Sequence, residues 1–167
     1  YYFEENEQDK ALDYFTKSTL LYDRYQQRRS NKYLAQLYFN KADINSALEA
    51  YKALVNNNNA DLETYDKLAN IFYETADYKN AILHWEKALN LSPKDPSLSY
   101  NLSNAYNKTK NYLKTIELMK PVCNLYASDR YFNFVLANAY YEKKDFSHAL
   151  KFIQKALVED AFNKKFL

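Results

Sequence analysis

The chain has 167 residues, of which 47% are hydrophobic, enough for one ordinary globular unit. Its 23 basic and 21 acidic residues leave a net charge of +2, too balanced for a dedicated nucleic-acid or polybasic membrane protein. One cysteine excludes an internal disulfide and a multi-cysteine zinc site, and the absence of glycine excludes Gly-rich phosphate loops. We expect no membrane span and see no signal peptide. A single cysteine fits both the cytosol, which we favour, and the periplasm, so the compartment stays open.

A 34-residue period predicts pairs of helices along the chain. A small residue opens the second helix of each pair at Ala47, Ala81, Thr115 and Ala149, and Ala11 is the earlier equivalent, 36 residues before Ala47. We place the two extra residues near Gln26–Gln27. A large side chain follows four residues after each opening residue, at Phe15, Tyr51, Trp85, Met119 and Ile153.

The first helix of each pair carries its own repeating residues. A leucine, a small residue and an aromatic recur as Leu34–Ala35–Tyr38, Leu68–Ala69–Phe72, Leu102–Ser103–Tyr106 and Leu136–Ala137–Tyr140. Spacings of three and four residues place such positions on one helix face. Trp85, the only tryptophan, is therefore one member of a large core position between small residues, rather than a separate ligand platform.

This pattern resembles the tetratricopeptide repeat (TPR) family, a 34-residue helix–turn–helix. The resemblance is closest in "YNLSNAY" (100–106) and "VLANAYYEKKDFSHALKFIQKAL" (135–157). It implies an all-α fold, a right-handed superhelical solenoid of antiparallel helix pairs. We predict a single array with a partial repeat at 1–25, full repeats at 28–61, 62–95, 96–129 and 130–163, and a further helix starting at 164–167. Because the array starts and stops within a repeat, we expect a segment of a larger protein.

The departures from the family pattern concern the turns. The tight-turn positions are Asn6, Ala42, Ala76, Lys110 and Lys144, where the family usually has glycine. A left-handed conformation at a non-glycine residue costs about 1–2 kcal/mol. The residues expected to cap the second helices come next, at Asp43, Asp77, Asn111 and Asp145. Pro121 falls inside the second helix of repeat 96–129 and should kink or loosen it.

The resemblance implies that the first helices line a concave groove. One column of the groove would hold carboxamides, at Gln36, Asn70, Asn104 and Asn138. A carboxamide can both donate to and accept from an extended peptide backbone, which makes this column a candidate binding ladder. The alternative is that asparagine is the generic family residue here, in a chain rich in asparagine.

Other groove positions add charged and aromatic side chains, the residue types favoured at interface hot spots. They are Arg29, Lys32, Tyr33, Lys67, Tyr73, Tyr100, Asn101, Tyr131, Phe134 and Tyr141. The aromatic C-terminal half suggests anchoring of apolar side chains, unless these rings pack against neighbouring repeats. The carboxylate clamp of chaperone-tail-binding TPR domains is incomplete in either frame, because the last basic pair is missing in both and Asp66 replaces the first lysine in the second frame.

The sequence predicts no catalytic constellation, cofactor or metal site, because His84 and His148 lie 64 residues apart and Cys123 has no histidine in helical register. We therefore predict a non-catalytic module that binds a protein or peptide partner, with no small-molecule substrate. One alternative is an architectural subunit that uses its outer face or ends. Another is a helical-repeat RNA binder, although only Arg29, Lys32 and Lys67 offer a basic column. An enzyme would need a catalytic domain elsewhere.

Overall fold

A computed structural model describes the backbone of residues 5–21 and 24–163, and the side chains of residues 8–17 and 29–157. The described residues form helices only, confirming the all-α class. The helices are α1 (Glu5–Leu21), α2 (Arg24–Asn40), α3 (Ile44–Asn56), α4 (Leu62–Glu74), α5 (Tyr78–Leu91), α6 (Pro96–Lys108), α7 (Tyr112–Leu125), α8 (Arg130–Glu142) and α9 (Phe146–Asn163). The predicted start of a further helix at 164–167 lies outside the described residues.

Each helix packs against the helices that precede and follow it in the chain. Helices α2 to α9 form four pairs, each joined by a three-residue turn, and α1 stands before them. The first helices α6 and α8 also meet. Contacts between sequence neighbours are the hallmark of a quasi-one-dimensional array. The limits of the individual repeats stay a prediction.

The turn within each pair is a left-handed helix ending without glycine. Ala42, Ala76, Lys110 and Lys144 have φ values of 57°, 61°, 62° and 64°, as predicted. In the first of these turns the Ala42 amide donates to the Phe39 carbonyl and the Asp43 amide to the Tyr38 carbonyl. The same pair of bonds closes the other three turns. This Schellman geometry satisfies carbonyls at the helix end, and so offsets part of the backbone strain.

Aspartates after these turns cap the second helices. The carboxylates of Asp43, Asp77 and Asp145 accept from the amides of Ser46, Asn80 and His148. The same prediction for Asn111 is wrong. Its side chain accepts no cap hydrogen bond, and its Nδ2 donates to Thr109 Oγ1 instead.

A second set of aspartates caps the first helices and also recurs every 34 residues. Asp61, Asp95 and Asp129 accept from the amides of Thr64, Leu98 and Phe132. The position equivalent to these aspartates is Gln27, a weak capping residue. Gln26 and Gln27, near which we placed two extra residues, lie inside α2, which begins upstream at Arg24.

One further turn expectation needs correction. The turn predicted at Asn6 is absent, because α1 begins at Glu5 and includes Asn6. At the other end, α9 continues to Asn163, beyond the position where α7 ends. Pro121 lies inside α7, which is continuous from Tyr112 to Leu125.

The core lies between the helices and uses the repeating positions. Trp85 is 1% exposed, and its Nε1 donates to Asp66 Oδ1 at 2.9 Å, which confirms the core interpretation. Tyr51 and Met119 are equally buried at the equivalent positions. The buried residues form two clusters, one from Ala35 to Tyr106 and one from Met119 to Phe152.

A glycine at one turn should stabilise the array. Replacing Lys110 by glycine removes the strain of the left-handed conformation but raises the conformational entropy of the unfolded chain. The free energy of unfolding should rise by about 0.5–1 kcal/mol in total. Urea denaturation followed by circular dichroism would measure this gain. Lys108→Gly is the matched control, because Lys108 ends α6 with helical backbone, where glycine should destabilise by about 0.5–1 kcal/mol. Equal destabilisation by both variants would contradict the strain argument.

Candidate functional site

Four predicted groove residues meet at the N-terminal end of the array. Arg29, Lys32, Tyr33 and Gln36 line a cavity of about 330 Å³ on α2. The cavity is completed by Tyr51 from α3 and Glu63 from α4. Tyr51 Oη lies 3.4 Å from Gln36 Oε1, and burial, with Glu63 and Asp61 nearby, raises the pKa of Tyr51 to about 12. The cavity therefore combines a buried, protonated hydroxyl, a carboxamide and charged groups.

The positive charge of Lys32 is neutralised by two carboxylates. Lys32 Nζ lies 2.8 Å from Asp61 Oδ2 and 2.6 Å from Glu63 Oε2. Burial would lower the pKa of Lys32, but these hydrogen bonds outweigh it and raise the pKa. Burial opposes ionisation of Asp61, yet bonds from Lys32 and Thr64 lower its pKa to about 2. Two carboxylates therefore face Lys32, a poor arrangement for binding a phosphate backbone.

The central predicted residues are partly used by the array itself. Lys67 Nζ lies 5.5 Å from the centre of the Phe39 ring. Asn70 Nδ2 donates to the Asp66 carbonyl in its own helix at 2.8 Å, which leaves its other polar positions for a ligand. The Tyr73 ring packs 5.3 Å from Tyr78 and 5.6 Å from Trp85. For the Tyr73 ring, packing within the array competes with the predicted anchoring role.

The remaining central positions are half-buried. The Tyr100 ring lies 5.8 Å from Phe132, across the junction between α6 and α8. Asn101 and Asn104 flank it on α6, with intermediate exposure. Gln36, at the start of the predicted ladder, donates to Asn40 Oδ1 at 2.8 Å. The ladder residues are thus aligned by the repeat but differ in how much of each side chain is free.

The C-terminal predicted residues are well exposed and gather at the last helix pair. Phe134, Asn138 and Tyr141 line a cavity of about 440 Å³. Tyr131 is also exposed, and the Arg130 guanidinium lies 4.9 Å from its ring centre. The cavity is lined on its other side by α9, through Phe146, Ala149, Leu150 and Ile153. Sequence reasoning missed these α9 residues because it searched only the first helices for binding positions.

The groups considered for chemistry do not assemble into a site. Burial raises the pKa of the Cys123 thiol to about 11, which suits a packed thiol rather than a nucleophile. Within the described part of the chain, no three His, Cys, Asp or Glu side chains cluster as metal ligands. None of the described helices combines the length and apolarity that a bilayer span requires.

The helix pairs, their periodic turns and their neighbour-to-neighbour contacts define a helical-repeat solenoid. The family profile described as TPR repeat matches residues 69–110. The resemblance to the tetratricopeptide repeat family is therefore confirmed. No curated protein sequence matches the chain at a significant level.

Solved structures share this fold at low sequence identity. The crystal structure of MamA protein is 20% identical, with a TM-score of 0.81 over 97% of this chain and 87% of that one. A MamA fragment from Desulfovibrio magneticus is 20% identical, with a TM-score of 0.73 over 80% and 76% of the two chains. YrrB, described as a TPR protein with an unusual peptide-binding site, is 15% identical, with a TM-score of 0.82 over 97% and 85%. These likenesses establish the TPR solenoid fold.

Proposed function

We propose that the chain is a non-catalytic protein-interaction module that binds an extended segment of a partner protein along its first helices. The cavity on α2 carries the proposal, because four residues at predicted groove positions, Arg29, Lys32, Tyr33 and Gln36, line it together. Its hydroxyl, carboxamide and charged groups match the donors and acceptors of a peptide backbone. The description of YrrB as having a peptide-binding site supports this use of the fold.

The carboxamide column would extend this cavity along the array. Gln36, Asn70 and Asn104 stand at 34-residue intervals on α2, α4 and α6. Each hydrogen bond to an extended backbone contributes about 0.5–1.5 kcal/mol. Three such bonds would contribute about 1.5–4.5 kcal/mol, so flanking pockets must supply the rest of the affinity and the selectivity.

The test uses peptides selected from a random library displayed on phage. The Gln36/Asn70/Asn104→Ala triple variant should bind the selected peptides at least about tenfold more weakly than the unaltered protein, measured by fluorescence polarisation. The matched control is Lys79/Glu117/Lys151→Ala, which removes three exposed side chains from the second helices and should bind normally. Circular dichroism would confirm that both variants are folded. Equal affinity of the two variants would contradict groove binding.

An architectural role is the second candidate, and one observation favours it. The second helices expose large leucines, and such residues suit contact with another subunit better than contact with water. They are Leu83 and Leu91 on α5, Leu113 and Leu125 on α7, and Leu157 on α9. If partners bind the Gln36/Asn70/Asn104→Ala variant normally but no longer bind a Leu83/Leu113→Ser variant, the outer face is the functional one.

A further inference from the structure

A cavity of about 520 Å³ opens between the second helices α5 and α7. We call it the α5–α7 cavity. The residues that line it include Glu86 and Leu89 on α5, Tyr106 on α6, and Lys114 and Leu118 on α7. None of the residues predicted for the groove takes part in it. The cavity therefore combines charged groups, apolar side chains and an aromatic ring at a place separate from the groove.

Stacked rings fill the equivalent place in the repeats on either side. In the repeat before, His84 stacks on Phe72 with 5.5 Å between ring centres and 5° between ring planes. In the repeat after, Phe152 stacks on Tyr140 at 5.7 Å and 4°. In both repeats a flat group from the second helix thus lies parallel to the aromatic ring of the first helix.

The repeat 96–129 lacks the second of these rings. Tyr106 supplies the first-helix ring, but Leu118 stands at the second-helix position. A leucine side chain is smaller than a phenylalanine ring and is not planar, and both Tyr106 and Leu118 line the α5–α7 cavity. The cavity therefore has room for a flat group where the neighbouring repeats hold a ring of their own.

The charge beside this place is reversed relative to the repeat before. There, Lys52 Nζ lies 6.0 Å from the centre of the Phe72 ring. The equivalent of Lys52, 34 residues later, is Glu86, and its Oε1 accepts from Tyr106 Oη at 2.5 Å. Burial and the hydrogen bond to Glu86 raise the pKa of Tyr106, so its hydroxyl stays protonated and keeps the Glu86 carboxylate in place. A carboxylate fixed beside an aromatic ring favours a positively charged ligand.

A lysine of the chain already marks the position of that charge. Lys114 Nζ lies 4.9 Å from the centre of the Tyr106 ring and 3.4 Å from Glu86 Oε1. A cation over an aromatic face is attracted by the ring. The pairing with Glu86 is loose, because 3.4 Å exceeds the length of about 2.8 Å that is usual for a charge-assisted hydrogen bond. The Lys114 side chain is also 58% exposed, so a better cation can displace it.

We propose that the α5–α7 cavity binds the guanidinium group of an arginine side chain. A guanidinium is both flat and positively charged, so it stacks on an aromatic ring and forms paired hydrogen bonds with a carboxylate. It would replace the Lys114 ammonium over Tyr106 and bond to Glu86. A lysine lacks the flat shape and an aromatic side chain lacks the charge. Because this site lies apart from the groove, its test is independent of peptide binding there.

The probe is N-acetyl-arginine amide, titrated into isotopically labelled protein and followed by two-dimensional NMR of the backbone amides. We expect saturable shifts of amides on α5 and α7 around the cavity, with a Kd of about 1–10 mM. N-acetyl-lysine amide carries the same charge without the flat group, and should bind about fivefold more weakly or less. Equal Kd values for the two probes would show that charge alone is recognised and would overturn the guanidinium assignment.

Removing the competing lysine should strengthen binding. Lys114→Ala should lower the Kd of the arginine probe about threefold or more, because the probe no longer displaces an ammonium group. Lys120→Ala is the matched control, since it removes the same charge from the same helix outside the cavity, and it should change the Kd by less than about twofold. Equal Kd values for the two variants, or no saturable binding to the unaltered protein, would overturn the proposal.

Two further variants should weaken binding. Leu118→Phe supplies the ring found in both neighbouring repeats, so it should fill the cavity and abolish binding while circular dichroism shows an intact fold. Glu86→Gln keeps an oxygen that accepts from Tyr106 but removes the charge, and should raise the Kd about tenfold. Normal binding by the Leu118→Phe variant would place the probe elsewhere and would also overturn the proposal.

The arginine can come from a partner protein or from elsewhere in the same polypeptide, and the same probe separates these sources. The polypeptide as its native host produces it is titrated alongside the 167-residue chain. Equal Kd values mean that a partner supplies the arginine, since the cavity is then open in the native polypeptide. Loss of binding by the native polypeptide alone means that one of its own arginines fills the cavity.

Discussion

Replacing Trp85 with alanine is expected to lower the free energy of unfolding by about 3–5 kcal/mol, the range for truncating a buried aromatic residue. Trp85 is almost fully buried between the small residues Ala81 and Ala88, which let neighbouring helices approach closely. Truncation would leave a large cavity and an Asp66 carboxylate without its indole donor. In a marginally stable array, this loss is a large fraction of the total stability.

Urea denaturation followed by circular dichroism should measure this loss, because the variant has no tryptophan to report by fluorescence. Leu83→Ala is the matched control, since Leu83 lies two residues away on α5 and is 46% exposed. We expect that control to change stability by less than about 1 kcal/mol. A Trp85→Ala effect no larger than the control would mean that the large core position is not structurally important.

The periodic sequence made the fold predictable, because equivalent positions in successive repeats pack in the same way. Trp85, Tyr51 and Met119 differ in chemistry but share a position, so their common burial could be inferred without a structure. The left-handed turns were equally predictable from Ala42 and its equivalents. Prediction failed at Asn6, near the start of the chain where the period breaks, because a residue without aligned copies carries only its own weak propensity.

The candidate site was less predictable than the fold. The position of a residue in the repeat predicts whether it faces the groove. It does not predict whether that side chain already contacts a neighbouring side chain. Lys32 was predicted as a basic groove residue, yet Asp61 at the end of its own repeat and Glu63 in the next repeat neutralise it. The α9 side of the C-terminal cavity was missed because the prediction considered only the first helices. Phe146 and Leu150 occupy positions that are only half exposed at Tyr112 and Ile116, so their exposure depends on what packs over them.

Acidification is expected to destabilise the array through His84, which is 8% exposed on α5. Its ring stacks on Phe72 at 5.5 Å and lies 6.1 Å from Tyr65. No hydrogen-bond partner for Nδ1 is found among the described residues. Burial, assisted by the nearby positive charge of Lys87, lowers the pKa of His84 to about 4. The folded state therefore resists protonation that the unfolded chain accepts.

The sign of the effect follows from proton linkage. Above pH 6.5 the imidazole is neutral in both states, and His84 adds no pH dependence. Between pH 6.5 and about 4 the unfolded chain binds the proton and the folded chain does not, so stability falls as pH falls. Between pH 7 and pH 4 the loss should reach about 3 kcal/mol. Asp61, whose pKa is lowered to about 2, adds acid sensitivity mainly below this window.

Phenylalanine at position 84 should remove this pH dependence without disrupting the packing. The equivalent residue two repeats later is Phe152, which stacks on Tyr140 at 5.7 Å, much as His84 stacks on Phe72. Urea midpoints measured between pH 7 and pH 4 should fall less steeply for His84→Phe than for the unaltered protein. His148→Gln, at the exposed second histidine, is the control and should keep the original slope. If His84→Phe and His148→Gln give the same slope, the acid sensitivity arises elsewhere, since the buried imidazole would then bind its proton equally in the folded and unfolded chain.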